Sequence, residues 1–419
     1  MNENYISKKD SFTLLELLIV IGILAILATS AVVILNPAEL LKQSRDTKRS
    51  TDLKALNSVL NLYNLSSSSY GDSNTIYISI PYATADCGYG SGNPLVLPSL
   101  PSGWSYACKP DTDYQKIDGT GWIPINLTQI ESGAPFSALP IDPINNSFYG
   151  LYYNYVADSS GYVFASLLES IKYLKQTALT DGGSDNARFE TGRNLKLWAS
   201  ASAIAGYWNF NEGNGLVVYD SSGNNNSGAL TNGPIWTAGK VNGAINFDGV
   251  DDFVDLGSPA ILDNLDPFTI TMWALPNSLG GGSAGRLFEK AIIGSEYKRT
   301  KLQAANTFSA LVSRLSINAS AVAVNESITL GSWQFVAITF SSADGIRFYR
   351  APLGGSVSEA SYASRTIGSG APTDDSTGNF TIGAFTSGSQ SFDGKIDEVI
   401  IYNRVLFNWE IQALFNSTN

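Results

Sequence analysis

Hydrophobic and polar positions divide this chain into stretches of different period. From Phe12 to Leu35, FTLLELLIVIGILAILATSAVVIL, nearly every residue is apolar or small. The ~19 residues after Glu16 are enough, as a helix, to cross the hydrocarbon core of a bilayer, and the pattern predicts a transmembrane helix. Pro37 ends or kinks it, because proline lacks the amide hydrogen and clashes with the preceding turn. Apolar residues then recur along one stripe, Leu41, Leu53, Leu56, Leu60 and Tyr63, while Lys42, Asp46, Lys48, Arg49 and Asp52 fall mostly elsewhere. This predicts an amphipathic helix as far as residue 65, stopped by the serines at 66–69. The whole predicted helix, 12–65, is a rod of about 80 Å.

Beyond the serines the period changes. Residues 66–177 are rich in Pro, Gly and aromatic residues, with short strand signals at Thr75–Ile80 and Leu151–Val156, and predict a small β head. Residues 178–205 hold turn and breaker residues in DGGSDNARFETG without sustained periodicity, and predict a linker. From 206 to 419, runs such as GYWNF, FTITMW, FVAITF, IRFY and IDEVIIY alternate with Gly, Asn and Asp clusters. Period two with frequent turns predicts an all-β sandwich of the jelly-roll type. The fold class expected is therefore an α+β module, a long N-terminal helix with a small β head, followed by an all-β jelly roll.

Composition narrows the function. The net charge of −11 argues against a nucleic-acid partner, which needs clustered Lys and Arg. The chain has no histidine, which excludes a Ser-His-Asp triad, a Cys-His pair and any His-ligated metal. Its two cysteines, Cys87 and Cys108, cannot alone supply four zinc ligands. In an oxidising compartment they read as one disulfide, closing a loop of roughly 20 residues for about 3 kcal/mol; two free thiols are the alternative. Glu16 is the unusual residue. A carboxylate at membrane depth costs about 2.5 to 3.5 kcal/mol and needs a partner. A cut before Phe12 would create an α-amino group one helical turn away, and a neighbouring copy's amine could neutralise the acid.

These residues carry a resemblance. KKDSFTLLELL at 8–18 is similar to the processing signal of type IV prepilins and type II secretion pseudopilins, a short basic leader followed by Phe, Thr and a Glu at the fifth mature position. Where that family has Gly before the cut, this chain has Ser11. The resemblance implies a leader at 1–11, cleavage between Ser11 and Phe12 by a prepilin peptidase, N-methylation of Phe12, and Glu16 setting the register of like subunits. QSRDTKRSTDLKALNSVLNLY at 43–63 resembles the helix after the span, and LPIDPINNSFYGLYYNY at 139–155 resembles the loop and strand of the pseudopilin head. A calcium loop occurs in that region of the family, but Asp142 is the one carboxylate in the motif here, and a turn cap is the better reading.

A second resemblance covers 206–419. GYWNFNEGNGLVVYDSSGNNNSGAL, GKVNGAINFDGVDDFVDLG, DPFTITMWALP, SWQFVAITF and FDGKIDEVIIYNRVLFNWEIQALF occur in the order found in laminin-G-like, concanavalin A-like jelly rolls. The resemblance implies a structural calcium ion, with Asp220 and Asp397 at the positions of the usual ligands and Asp248, Asp251 and Asp252 as weaker candidates; turn capping is the alternative for all of them. Related sandwiches hydrolyse glycosides with paired acids. Here Asp397 and Glu398 are adjacent and, on a regular strand, face opposite sides, so no enzyme is expected. Trp236, Tyr297 and Trp333 are candidate sugar-stacking residues, with core packing the alternative.

The function these features imply is a minor-pilin-like subunit of a type IV pilus or related fibre, displaying a lectin-like domain for adhesion to a carbohydrate or other surface ligand. The alternatives are a pseudopilin of a type II secretion system and a non-polymerising, membrane-anchored glycan binder. In each case the chain spans the bacterial inner (cytoplasmic) membrane once, with its bulk outside.

Overall fold

The computed structural model describes residues 14–63, 70–130, 133, 136–292, 295–303, 306–324 and 328–419. Helix α1, Leu14–Leu35, gives way at Asn36, whose φ of 39° is left-handed. Pro37 opens α2, Pro37–Tyr63, in the first helical position, where its missing N–H costs nothing. Side chains of 25–35 lie outside the described residues. Among the described residues no helix is long and apolar enough to cross a membrane, so the predicted span is carried by the sequence alone.

The predicted stripe on α2 is present and wider than expected. Leu53, Leu56, Leu60 and Tyr63 are buried, but so are Asp46 and Arg49, while Leu41 is exposed. The stripe packs on a five-stranded sheet ordered Ser105–Lys109 (β2), Thr75–Pro81 (β1), Tyr153–Asp158 (β3), Gly161–Leu167 (β4) and Arg188–Gly192 (β5). β1 and β2 are parallel and the other neighbours antiparallel. Trp122, Tyr153, Tyr155, Tyr162 and Phe164 fill the core beneath α2, and a Cys87–Cys108 disulfide ties the β2 end down.

Residues 178–205 are not a linker. They hold β5, registered on β4 from Val163 opposite Gly192 to Leu167 opposite Arg188, and then a short helix, Lys196–Ala201. The apolar signal is weak there because the buried residues of β5 include Arg188 and Glu190.

A two-sheet sandwich follows. One sheet is built around Phe268–Pro276, flanked by Gln334–Ser341 and Asp393–Tyr402; the other around Arg286–Ile292, flanked by Ser295–Gln303 and Asn379–Ile382. Phe247, Phe268, Phe288, Phe308, Phe340 and Phe380 fill the space between the sheets. The first sheet is apolar on both faces. Phe268, Ile270 and Met272 point inward, while Trp273, Phe335, Tyr349 and Tyr402 point outward, as expected of strands covered on both sides. The outer cover is the C-terminal helix, Asn408–Thr418 (hereafter the C-terminal helix), through Ile411, Leu414 and Phe415, together with Leu151, Leu167 and Ala187 of the head. The two units therefore share one hydrophobic cluster, locked by Arg404, whose buried guanidinium forks onto Glu410 at 2.7 Å in both contacts and donates to the Ser202 carbonyl.

Candidate binding clefts at the junction of the two units

Ser11 and Phe12 lie outside the described residues. Glu16 is exposed in the first turn of α1, the end of a helix where a negative charge is favoured.

Asp142 lies with Asp46 and Glu169 in a buried ionic network around Arg49. Asp142 accepts the backbone N–H groups of Ile144 and Asn145 at 2.8 and 3.2 Å, the turn cap the sequence suggests, and also receives Arg49 at 2.6 and 3.0 Å. Arg49 further binds Asp46 at 2.8 Å and Glu169 at 2.6 Å, and Arg45 forks onto Glu169 at 2.7 Å. Burial works against the Arg49 charge, but Asp142 and Glu169 outweigh it and raise its pKa. Burial likewise opposes ionisation of Glu169, and Arg45 and Arg49 overcome it to hold that carboxyl below its ordinary range.

Asp220 and Asp397 each accept backbone N–H groups. Asp220 Oδ1 accepts the N–H groups of Tyr207 and Ser222, and Oδ2 accepts that of Asn226. Those contacts hold its turn. Asp397 is fully buried and accepts the Val241 N–H at 2.8 Å. Asp248, Asp251 and Asp252 bring their oxygens within 4.8 Å of one another, the one acidic group of three that does so among the described residues; Asp252 is meanwhile engaged by the Asp248 N–H.

The expectation that Asp397 and Glu398 face opposite ways is overturned by a bulge. Glu398 has φ 52°, and the pairing with Phe268–Pro276 slips between Thr271 and Trp273. Ile396 and Val399 both face the inter-sheet core, so the two acids between them share the outer side. Glu398 accepts Asn186 Nδ2 of the head at 2.9 Å and the Tyr207 hydroxyl at 2.8 Å. Burial first, and Asp397 second, push Glu398 up to about 8; burial pushes Asp397 up to about 7. Glu398 looks into a polar cleft of about 540 Å³, rimmed by Asn209, Asn211 and Asn242 of the sandwich and Thr180 of the head. Its amides and single acid suit hydrogen bonding to a polar ligand.

A second cleft of about 540 Å³ opens at the same junction and is aromatic. The head supplies Phe148 and Tyr149, 62% and 55% exposed, on a tight turn capped by Asn146 Oδ1, which accepts the Phe148 N–H at 2.9 Å. Gly150 closes that turn at φ 69°, and a Cβ there would lie 2.3 Å from the Trp409 ring. Only glycine lets the turn and the C-terminal helix meet. The sandwich supplies Phe407, stacked on Trp409 with ring centres 6.2 Å apart, and a polar wall where Arg347 reaches both oxygens of Glu359 at 3.2 and 3.1 Å. None of these aromatics was a sequence candidate. Trp236 instead donates to the Gly215 carbonyl and packs on the core, and Trp333 packs on the shared cluster. Tyr297 is half-buried on Ser295–Gln303. The missed signal was Asn146 and Gly150 bracketing two aromatics, a turn that presents them.

Residues 247–412 match the concanavalin A-like lectin/glucanases superfamily, and 6–32 match the prokaryotic N-terminal methylation motif. No curated protein matches the chain. Among solved structures, the binding domain of Paraclostridial Mosquitocidal Protein 1 aligns at 14% identity and TM-score 0.37, over 51% of this chain and 52% of that one. Domain 4 of AbnA, an extracellular arabinanase from Geobacillus stearothermophilus in complex with arabinotriose, aligns at 18% and 0.33, over 50% and 97%. Trypanosoma rangeli sialidase in complex with sialic acid aligns at 14% and 0.38, over 64% and 48%. This chain thus spans about half the length of the first and last of these. One polypeptide here joins a prokaryotic N-terminal methylation motif to a laminin-G-like, concanavalin A-like domain.

Proposed function

We propose that this protein is a pilin-like minor subunit that carries its laminin-G-like domain outward for binding at a surface. The leader 1–11 is removed between Ser11 and Phe12 by a prepilin peptidase, Phe12 is N-methylated, and the helix from Phe12 anchors the chain in the cytoplasmic membrane before assembly. Glu16 of one copy is neutralised by the Phe12 amine of the next, which sets the register of the fibre. The observation that carries this reading is the methylation motif at 6–32, lying across the leader and the apolar run, in the same chain as a domain of a lectin-containing superfamily. A minor rather than major role follows from bulk, since a sandwich of this size on every copy would crowd a helical fibre.

N-terminal mass spectrometry of the membrane-extracted protein tests it. The expected result is a mature chain beginning at N-methyl-Phe12, together with Glu16→Leu protein that inserts in the membrane but is missing from sheared fibres. A chain retaining Met1, or fibres that accept Glu16→Leu normally, overturns the assembly reading.

A further inference from the structure

We infer that the aromatic cleft between the two units is a saccharide site to which both units contribute, an inference that rests on the surface-binding reading above. Phe148 and Tyr149 expose more than half of their surface on a turn whose cap and glycine fix its shape. Such exposure is unfavourable in water unless a ligand covers it. Across the cleft, Trp409 and Phe407 offer a second pair of rings, half-buried and held by the helix they begin. The remaining wall is charged: Arg347 with Glu359, and Asp344 at 3.4 Å from the same guanidinium.

That combination selects a class of ligand. An aliphatic ligand would desolvate Arg347, Glu359 and Asp344 without returning hydrogen bonds, which is unfavourable. A phosphate-bearing ligand would meet two carboxylates against one guanidinium. A sugar ring has an apolar C–H face to lie on Phe148, Tyr149 or Trp409, and hydroxyls around its edge that both donate to carboxylates and accept from a guanidinium. The cleft volume of about 540 Å³ falls in the usual range for small-ligand sites. Because one ring pair belongs to the head and the other, with the charged wall, to the sandwich, recognition is a property of the joined chain and not of the laminin-G-like domain alone.

The test is a glycan array probed with the full chain in detergent micelles, followed by calorimetric titration of the saccharide that binds. Phe148→Ala with Tyr149→Ala on the head, and Arg347→Ala on the sandwich, are each expected to weaken binding at least about tenfold, at unchanged melting temperature. Phe148→Tyr, which keeps the ring, is expected to bind as the parent does. Loss in the Arg347 variant with full binding in the head variant overturns the joint site. An array on which the parent chain binds no saccharide, or pull-down of a protein through this cleft in place of one, overturns the ligand class. The N-terminus of the same preparation reports on the subunit reading separately, so the two failures are distinguishable.

Discussion

Arg49→Ala should be among the most damaging single changes in the head. The side chain is fully buried and contacts three carboxylates, Asp46, Asp142 and Glu169. Removing one partner of a buried ionic network costs about 3 to 5 kcal/mol, because the opposite charges stay buried without compensation. Here the lower end is expected. Glu169 keeps its fork to Arg45, Asp46 keeps the N–H groups of Glu169 and Ser170, and Asp142 keeps those of Ile144 and Asn145. About 3 kcal/mol corresponds to a factor of about 150 in the opening equilibrium. Hydrogen exchange by mass spectrometry, read on peptides from Tyr153–Asp158 and Gly161–Leu167 in the detergent-solubilised chain, measures it. Arg45→Ala serves as the internal comparison, since that residue is partly exposed and contacts Glu169 alone among the three acids, and should change protection by about 1 kcal/mol or less. Equal effects of the two substitutions would refute the reasoning, and so would an Arg49→Ala acceleration below about fivefold.

Asp220→Ala should lower stability by about 1 to 3 kcal/mol through three lost acceptor contacts, equally with and without a chelator in a thermal melt; a chelator-dependent shift that disappears in the variant would return Asp220 to the calcium ligands. Glu398 is raised to about 8 by burial and Asp397, so the folded chain holds a proton that the unfolded chain releases near pH 4.3, about the ordinary Glu value. Its contribution is full below that pH and is lost as pH rises through about 8. Melting temperature should therefore fall more steeply from pH 5 to 8 in the parent than in Glu398→Gln, and parallel curves would contradict the burial argument. Replacing Cys87 and Cys108 by Ser should cost about 3 kcal/mol in chemical denaturation, with the loss confined to the head.

What the sequence reveals follows from the range of the interaction. The stripe Leu53, Leu56, Leu60 and Tyr63 is local, repeats at helical spacing and is buried as its period requires. Asp46 and Arg49 lie on that same face, yet they look like surface residues, because the groups that justify their burial, Asp142 and Glu169, are 93 and 120 positions from Arg49. The same holds for β5, whose Arg188 and Glu190 disguise a sheet strand as a connector. Glu398 fails for another reason. Alternation predicts its direction only if the strand is regular, and a one-residue bulge reverses the answer without leaving any mark in the composition. The aromatic cleft is hidden because its halves, Ser147–Tyr149 and Phe407 with Trp409, meet only after both units have folded.

The junction has a mechanical consequence that a flexible tether would not give. Trp273, Phe335 and Tyr402 form an apolar outer face on the sandwich, a surface of the kind that soluble domains do not leave open. The C-terminal helix covers it, Trp273 donating to the Thr418 hydroxyl at 2.7 Å, and head residues Leu151 and Leu167 extend the same cluster. Burial of each such side chain contributes about 1.5 to 3 kcal/mol, so parting the units would expose several at once. The sandwich is therefore fixed to the head, and the head is fixed to α2 by Arg49. Through that chain of buried contacts, the orientation of both clefts is set by the helix on which the whole assembly stands.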